Sequence, residues 1–517
     1  MRRILAPIAL TAALAAWYLT PWPWLAAVWA VSYAALAWRW PRWALALLPL
    51  TFPFWYAPLH VTSRLTFPLS EAALAIVTAV TLAQFGWRLA RLSGERRRRY
   101  LNGWPRAFLR QTGWLVPLGA TLLLLGMTVG VIIARQPHDA LRAWRWEIAE
   151  PLVFAALVVW RLRVRWVWRM LWAFIASGLI VVALAVAQAT FAHMTVAALA
   201  NGGGLIPYHA WSGLGWRTTA IIYGNPNSAG DWMARALPLA LAVALWPRAA
   251  AERERLIAAL AILALLLGME LTGSRGALLG ALAGVAVVAL CVVWVNLSAA
   301  DQTAPQPYAS EEKGLRRFAP FGFALVAALV YGGSVLWLEP LVRLIGGTAH
   351  GGSGAIRLLI WQAALAMAHD HQLLGVGPDQ FLYYYDPQYT HHPYLIATQN
   401  GHPTAAASEP NLSHPHNLGL ELWLSAGIVG LYGFMLVVVA ALARGWATIK
   451  ALRKRQALHG WRSAAIAGTA GALVVALAHG LVDSAYFQPD LALAFWGMVA
   501  ALLVLAWIPR QRSTVRS

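Results

Sequence analysis

A single cysteine, Cys291, lies inside an apolar run, which excludes an intramolecular disulfide and a thiolate metal centre. Charge is also scarce. Charged residues make up 12% of the 517, against about 25% in an ordinary soluble domain, while 60% are hydrophobic, a balance that excludes a soluble globular fold. There is no DxD pair, no His/Asp cluster with metal-ligand spacing, no internal repeat and no low-complexity tract. What the chain has instead is a series of apolar runs, each near the roughly 20 residues that span a bilayer. Its 29 tryptophans suit the headgroup level, as in PWPW at 21–24 and WRWPRW at 38–43.

These runs predict fourteen helices, at 4–19, 24–37, 43–57, 69–87, 112–134, 147–160, 170–190, 227–246, 256–271, 277–297, 319–338, 417–443, 463–482 and 490–508. Counted over alternate loops, 31 of the 40 Lys and Arg fall on one side, including the dense stretch at 88–110. The positive-inside rule makes that side the cytoplasm and places both termini there. The net charge of +20 is therefore read as topogenic, and no nucleic-acid partner is expected. The N-terminal apolar segment is expected to be retained, because Trp17 and Tyr18 stand where small residues should precede a signal cleavage site. The expected fold is an all-α polytopic membrane protein of about 12–14 transmembrane helices with one large extracytoplasmic insert containing short amphipathic helices. Its organisation would be helices and short loops over 1–338, the insert over 339–416, three helices over 417–508 and a basic cytoplasmic tail over 509–517.

Nine arginines escape the topological rule: Arg64, Arg135, Arg142, Arg145, Arg217, Arg235, Arg275, Arg343 and Arg357. Histidine is distributed in the opposite sense, with eight of the fourteen between His350 and His416. Chemistry is thus expected on the external face. Glu339 to Leu412 has the composition of a folded insert, and RLLIWQAALAMAHD at 357–370 predicts an amphipathic helix on or near the membrane, its apolar face Leu358, Trp361 and Leu365 with Ala364 and Ala368. The turn sequence GVGPDQF follows, then YYYDPQYTHHPY, whose aromatic and hydrogen-bonding groups suit sugar or headgroup contacts. The segment at 301–314 reads as a flexible cytoplasmic linker.

Four motifs carry candidate chemistry. In LTGSRGALLG, Arg275 stands at a helix entrance, where the dipole favours an anion, so this cation needs an anionic partner; the alternatives are lipid phosphates or Glu270. GWRTTAIIYGNPNSAG contains Arg217 and a turn, Asn225-Pro-Asn227, that opens a helix whose N–H groups suit phosphate oxygens. Arg357 begins the insert helix. In SHPHNLGLELWLSAGIVG, His416 and Asn417 stand at the mouth of a membrane helix. Unpaired N–H groups there disfavour an imidazolium and keep the ring a neutral base, with His414 as the near alternative.

Together these pieces resemble the bacterial O-antigen ligase and polymerase superfamily: integral-membrane glycosyltransferases that include Wzy-type polymerases, WaaL-type ligases and protein-directed O-oligosaccharyltransferases. The resemblance covers roughly residues 60–505. Its strongest parts are TGSRG, the Arg357-x-x-x-Trp361 segment leading to GVGPDQF, and His416-Asn417-x9-Gly427-x-x-Gly430; the closing AHGLVDSAYFQPDLALAFW at 478–496 is also similar. Fourteen spans exceed the twelve commoner in the ligases. The resemblance implies an enzyme that takes a glycan from an isoprenoid (undecaprenyl) diphosphate and transfers it to the hydroxyl of a glycolipid, glycan or protein acceptor, with inversion and without metal or other cofactor. His416 would be the base, and Arg275 and Arg357 would act on the diphosphate, with Arg217, Asn225, Asn227, Asn417 and His414 binding substrate. The implied location is the inner (plasma) membrane, with the site facing outward. A transporter or flippase for the same lipid-linked glycan, or a non-catalytic subunit of an envelope assembly system, is the competing reading; the one-sided clustering of ionisable groups favours the enzyme.

Overall fold

Within a bilayer there is no water to satisfy backbone N–H and C=O groups, so long apolar runs close their hydrogen bonds internally as helices. The computed structural model describes residues 2–62, 65–195, 206–207, 216–246, 250–303, 353–399, 402–455, 457–458, 460–484 and 486–507. Among these, eight helices are long and apolar enough to span: Leu69–Ala90, Leu115–Ile133, Val164–Thr190, Glu252–Thr272, Arg275–Val295, Leu418–Lys454, Trp461–His479 and Pro489–Ala506. The chain is an all-α polytopic membrane protein.

The other expected spans take different forms. Arg2–Leu19 and Pro23–Arg39 are helices of 18 and 17 residues. The run at 43–57 is not one helix: Pro41–Leu47 passes into two 3-10 turns, where Pro49 and Pro53 remove backbone donors. The span at 147–160 is Glu150–Arg161, preceded by a π-turn at Arg145–Ala149. Pro151 cannot donate to the Glu147 carbonyl, which instead accepts from the Tyr486 hydroxyl at 2.7 Å. Pro226–Leu245 forms as a helix but carries Asp231 and Arg235 in its buried length. The expected span at 319–338, most of the 301–314 linker, residues 339–352, Arg64 and the basic tail from 510 lie outside the described residues.

Two features of the helix Leu418–Lys454 organise the site. Its Gly430 packs against Gly126 of Leu115–Ile133, and a Cβ on Gly126 would lie 2.2 Å from the Ala426 carbonyl oxygen, so only a small-residue seam permits this approach. Higher up, Gly427 at φ +66°, ψ −178° interrupts the helix. The interruption releases the Leu424 carbonyl, which accepts from Val376 N–H at 2.7 Å and Gly377 N–H at 3.0 Å. The insert is thereby tied to the membrane helix through its backbone.

The described part of the insert has its own core. Ile360, Trp361, Ala364 and Met367 of Ser353–Asp370 pack with Phe381 and Tyr385 and with Leu420 and Leu424 of the membrane helix. The expected helix is present, but its buried face is turned toward Ile360 and Met367, and Leu358 and Leu365 are only partly buried. The face is set by the neighbouring short helix Phe381–Tyr385 and by helix Leu418–Lys454.

Candidate functional site

The start of the helix Leu418–Lys454 is fixed by Asn417. Its Oδ1 accepts from Leu420 N–H at 3.0 Å as the N-cap, its Nδ2 donates to the Leu481 carbonyl at 3.0 Å, and Leu418 N–H reaches the Gly480 carbonyl at 2.7 Å. These bonds staple the helix entrance to the turn that ends Trp461–His479. Asp483, in that turn, therefore lies against His416, Oδ1 to Nδ1 3.0 Å. His416 itself holds a left-handed backbone at φ +51°, and its carbonyl accepts from Trp361 Nε1 at 3.3 Å. An Nδ1–H donated to a carboxylate leaves Nε2 as the basic nitrogen. The electrostatics thus differ from the sequence expectation. Asn417 takes the free helix N–H, and the ring faces an anion, because residues 67 positions apart are joined by the fold.

Asp483 is the hub. Its Oδ2 accepts from Asn227 Nδ2 at 3.3 Å and lies 3.8 Å from His479 Nε2. Burial alone would raise its carboxyl, but the hydrogen bond and charge of His416, then the charges of His479 and Arg357, outweigh this and hold it below the usual carboxylate range. Behind it, His479 Nδ1 lies 2.8 Å from Asp231, which pairs with Arg235 at 2.6 Å. None of Asp483, His479 and Asp231 was singled out from the sequence. Their only signal was polarity within apolar segments, His479 and Asp483 inside the closing AHGLVDSAYF.

Asn227 joins this hub to Arg217, whose Nη2 donates to Asn227 Oδ1 at 2.6 Å and whose Nε donates to the Thr272 carbonyl. Arg217 is set by a strained loop: Ala220 and Ile221 have φ of +52° and +63°, and Gln188 Oε1 accepts from Thr219 and Ile221 N–H, each at 3.0 Å. Asn225 caps Pro226–Leu245 by accepting from Asn227 N–H at 2.8 Å. The neighbouring turn ends Glu252–Thr272 at left-handed Gly273, Ser274 Oγ caps the next helix, and Arg275 is its first residue, exposed. Gly276 packs on the His479 ring, so Arg275 adjoins the same network.

Most of the non-topogenic arginines are engaged. Arg135 donates to the Tyr383 carbonyl at 2.8 Å, Arg142 pairs with Asp379 at 3.2 Å, Arg145 with Glu71 at 3.2 Å and Arg235 with Asp231. Among the described residues, neither Arg275 nor Arg357 has a carboxylate within ion-pair distance, and Glu270 is not the partner of Arg275. Arg357 is half-buried, and its charge acts on Asp483. The arrangement pairs an imidazole with a carboxylate on which the Arg357 charge also acts.

His414 is directed elsewhere. Its Nδ1 lies 3.3 Å from Glu421, and it lines a cleft with Arg142, Glu147 and Asp379. Of the insert carboxylates, Asp379 pairs with Arg142, Asp370 accepts from Tyr394 at 2.6 Å and Asp386 accepts from Gln388 N–H at 2.8 Å. Burial alone would lower His414, but Glu421, then Glu147 and Asp379, push its pKa up to about 9. A folded pKa above the unfolded value of about 6.5 gives stability that is full below that value and is lost as pH rises through the folded pKa. The melting temperature of the purified protein should therefore fall between about pH 6.5 and 9.5, and His414→Gln should flatten that fall.

Residues 258–435 match the family described as O-antigen ligase. No curated protein matches the chain. The family match supports membership of the O-antigen ligase/polymerase superfamily.

Proposed function

We propose that this chain is an O-antigen ligase/polymerase-type membrane enzyme that transfers a glycan from an isoprenoid diphosphate to an acceptor hydroxyl on the outer face of the inner membrane. The observation that carries the reading is the His416–Asp483 pair at 3.0 Å, with the Arg357 charge acting on the same carboxylate. Nε2 of His416 takes the proton of the acceptor hydroxyl as its oxygen attacks the anomeric carbon. The bond from that carbon to the diphosphate oxygen breaks, the configuration inverts, and the electron pair leaves with the diphosphate. Arg275 and Arg357 receive that charge, and Arg217, held through Asn227, is the third cation facing it. Asp483, ionised below the usual range, holds the Nδ1–H tautomer and steadies the imidazolium that forms.

The test is reconstitution in proteoliposomes with a lipid-diphosphate glycan and candidate acceptors. Arg275→Ala and Arg357→Ala should each lower kcat/KM about 10²–10³-fold, the range for losing a charge-stabilising donor, with unchanged melting temperature. Because the cations are guanidinium groups, transfer should persist in EDTA. Flipping of the donor without transfer by the native protein would establish the transporter reading instead, and transfer indifferent to both substitutions would remove the arginines from the mechanism.

A further inference from the structure

We propose that the cleft beside His414 is a saccharide subsite, which holds sugar units of the acceptor next to the hydroxyl that reacts. The occupant's identity rests on the transfer reading above; the cleft is argued from its own walls. Its volume is about 420 Å³, within the range of small-molecule sites. Aromatic rings contribute to its lining, among them Trp55, Trp146 and Tyr56, the last 42% exposed. Such rings cover the C–H faces of a sugar while leaving its hydroxyls to polar groups.

Several polar groups of the lining lack a hydrogen-bond partner among the described residues. Glu147 is 7% exposed and lines the cleft, yet its Oε2 has no hydrogen-bond partner among the described residues. Oε2 of Glu71, whose other oxygen pairs with Arg145, and the Nε1–H of the adjacent Trp146 likewise have no partner at hydrogen-bond distance among the described residues. Buried acceptors without donors are costly, so a ligand rich in O–H groups would complete them. Arg142 and Arg145 of this cleft are each paired with a carboxylate, so neither guanidinium is left over to hold a diphosphate. The diphosphate therefore belongs with Arg275 and Arg357, neither of which lines this cleft.

Position makes the subsite relevant to transfer. His414 lines the cleft and is two residues from His416, a separation of at most about 7 Å along the backbone. The π-turn Arg145–Ala149 is what brings Trp146 and Glu147 to the cleft, consistent with the frequent use of such turns at binding sites.

The experiment uses the full chain in nanodiscs and follows binding by saturation-transfer NMR. Three probes are compared: oligosaccharide released from the host's own envelope glycolipid, glycan released from the lipid-linked donor, and inorganic pyrophosphate. Glu147→Gln and Tyr56→Ala should each weaken the envelope oligosaccharide about tenfold or more, leaving pyrophosphate affinity unchanged. Unaltered oligosaccharide affinity in both variants would overturn the subsite, and loss confined to the donor-derived glycan would overturn its assignment to the acceptor. Arg275→Ala should weaken pyrophosphate alone. Pyrophosphate binding indifferent to Arg275 would count against the transfer reading, not against the cleft.

Discussion

Asp483→Asn should reduce kcat about 10²–10⁴-fold, the range associated with a general base that loses its orienting carboxylate, while donor and acceptor KM stay within a few-fold. The amide keeps the shape but can offer its NH₂ to Nδ1, which favours the wrong imidazole tautomer and removes the anion facing the imidazolium. His416→Ala should be at least as damaging, and the double variant no worse than His416→Ala, because the two act as one unit. Asp483→Glu, which restores charge with displaced geometry, should recover part of the loss. The pH profile of the residual activity should also differ from that of the native protein, in which Asp483 stays ionised below the usual carboxylate range. A purely structural Asp483 would instead lower melting temperature and leave the pH profile of the residual activity unchanged; that result would dismiss the pair as catalytic.

The second large effect is expected far from any proton. Gly427→Ala places a methyl group in a backbone conformation that is essentially glycine's alone, at a cost on the order of 1–3 kcal/mol. Its Cβ would also lie 2.2 Å from the Leu373 carbonyl oxygen. Relief comes from straightening the helix or releasing the 373–377 turn, and either breaks the Leu424 bonds to Val376 and Gly377. The insert carries Arg357 and the Trp361 bond to the His416 carbonyl, so its displacement disturbs both the cation and the base. Misplacement by about 1 Å is enough for a roughly 10²-fold loss of rate. Limited proteolysis should then find the 353–399 segment more readily cut, with the membrane helices still intact. Retained activity together with native protection of that segment would contradict this account of the glycine.

These outcomes separate two kinds of motif residue. His416 and Arg275 were conspicuous in the sequence because ionisable groups are expensive near apolar runs. Gly427 was conspicuous only as spacing and Gly375 only as part of a turn sequence, and the structure gives them a mechanical reason: Gly375, at φ +71°, lies against the Leu424 carbonyl that the Gly427 interruption exposes. Asn417 was grouped with substrate-binding residues and caps its helix; Asn225 does the same. Asn227 is the exception, bridging Arg217 and Asp483 with its two amide atoms.

The order of apolar runs determined by itself that the chain is helical and membrane-embedded, since burial of a run and closure of its backbone hydrogen bonds are local requirements that each segment meets alone. It also set out the cations and the imidazole, one at a time. Which of them meet was decided only by tertiary structure. The partner of His416 is 67 residues away, on a turn whose position follows from Asn417 and Leu418 bonding to Leu481 and Gly480. Side-chain pairing depends on helix packing at the seam of small residues and on a single break in one helix, and neither is encoded by hydropathy.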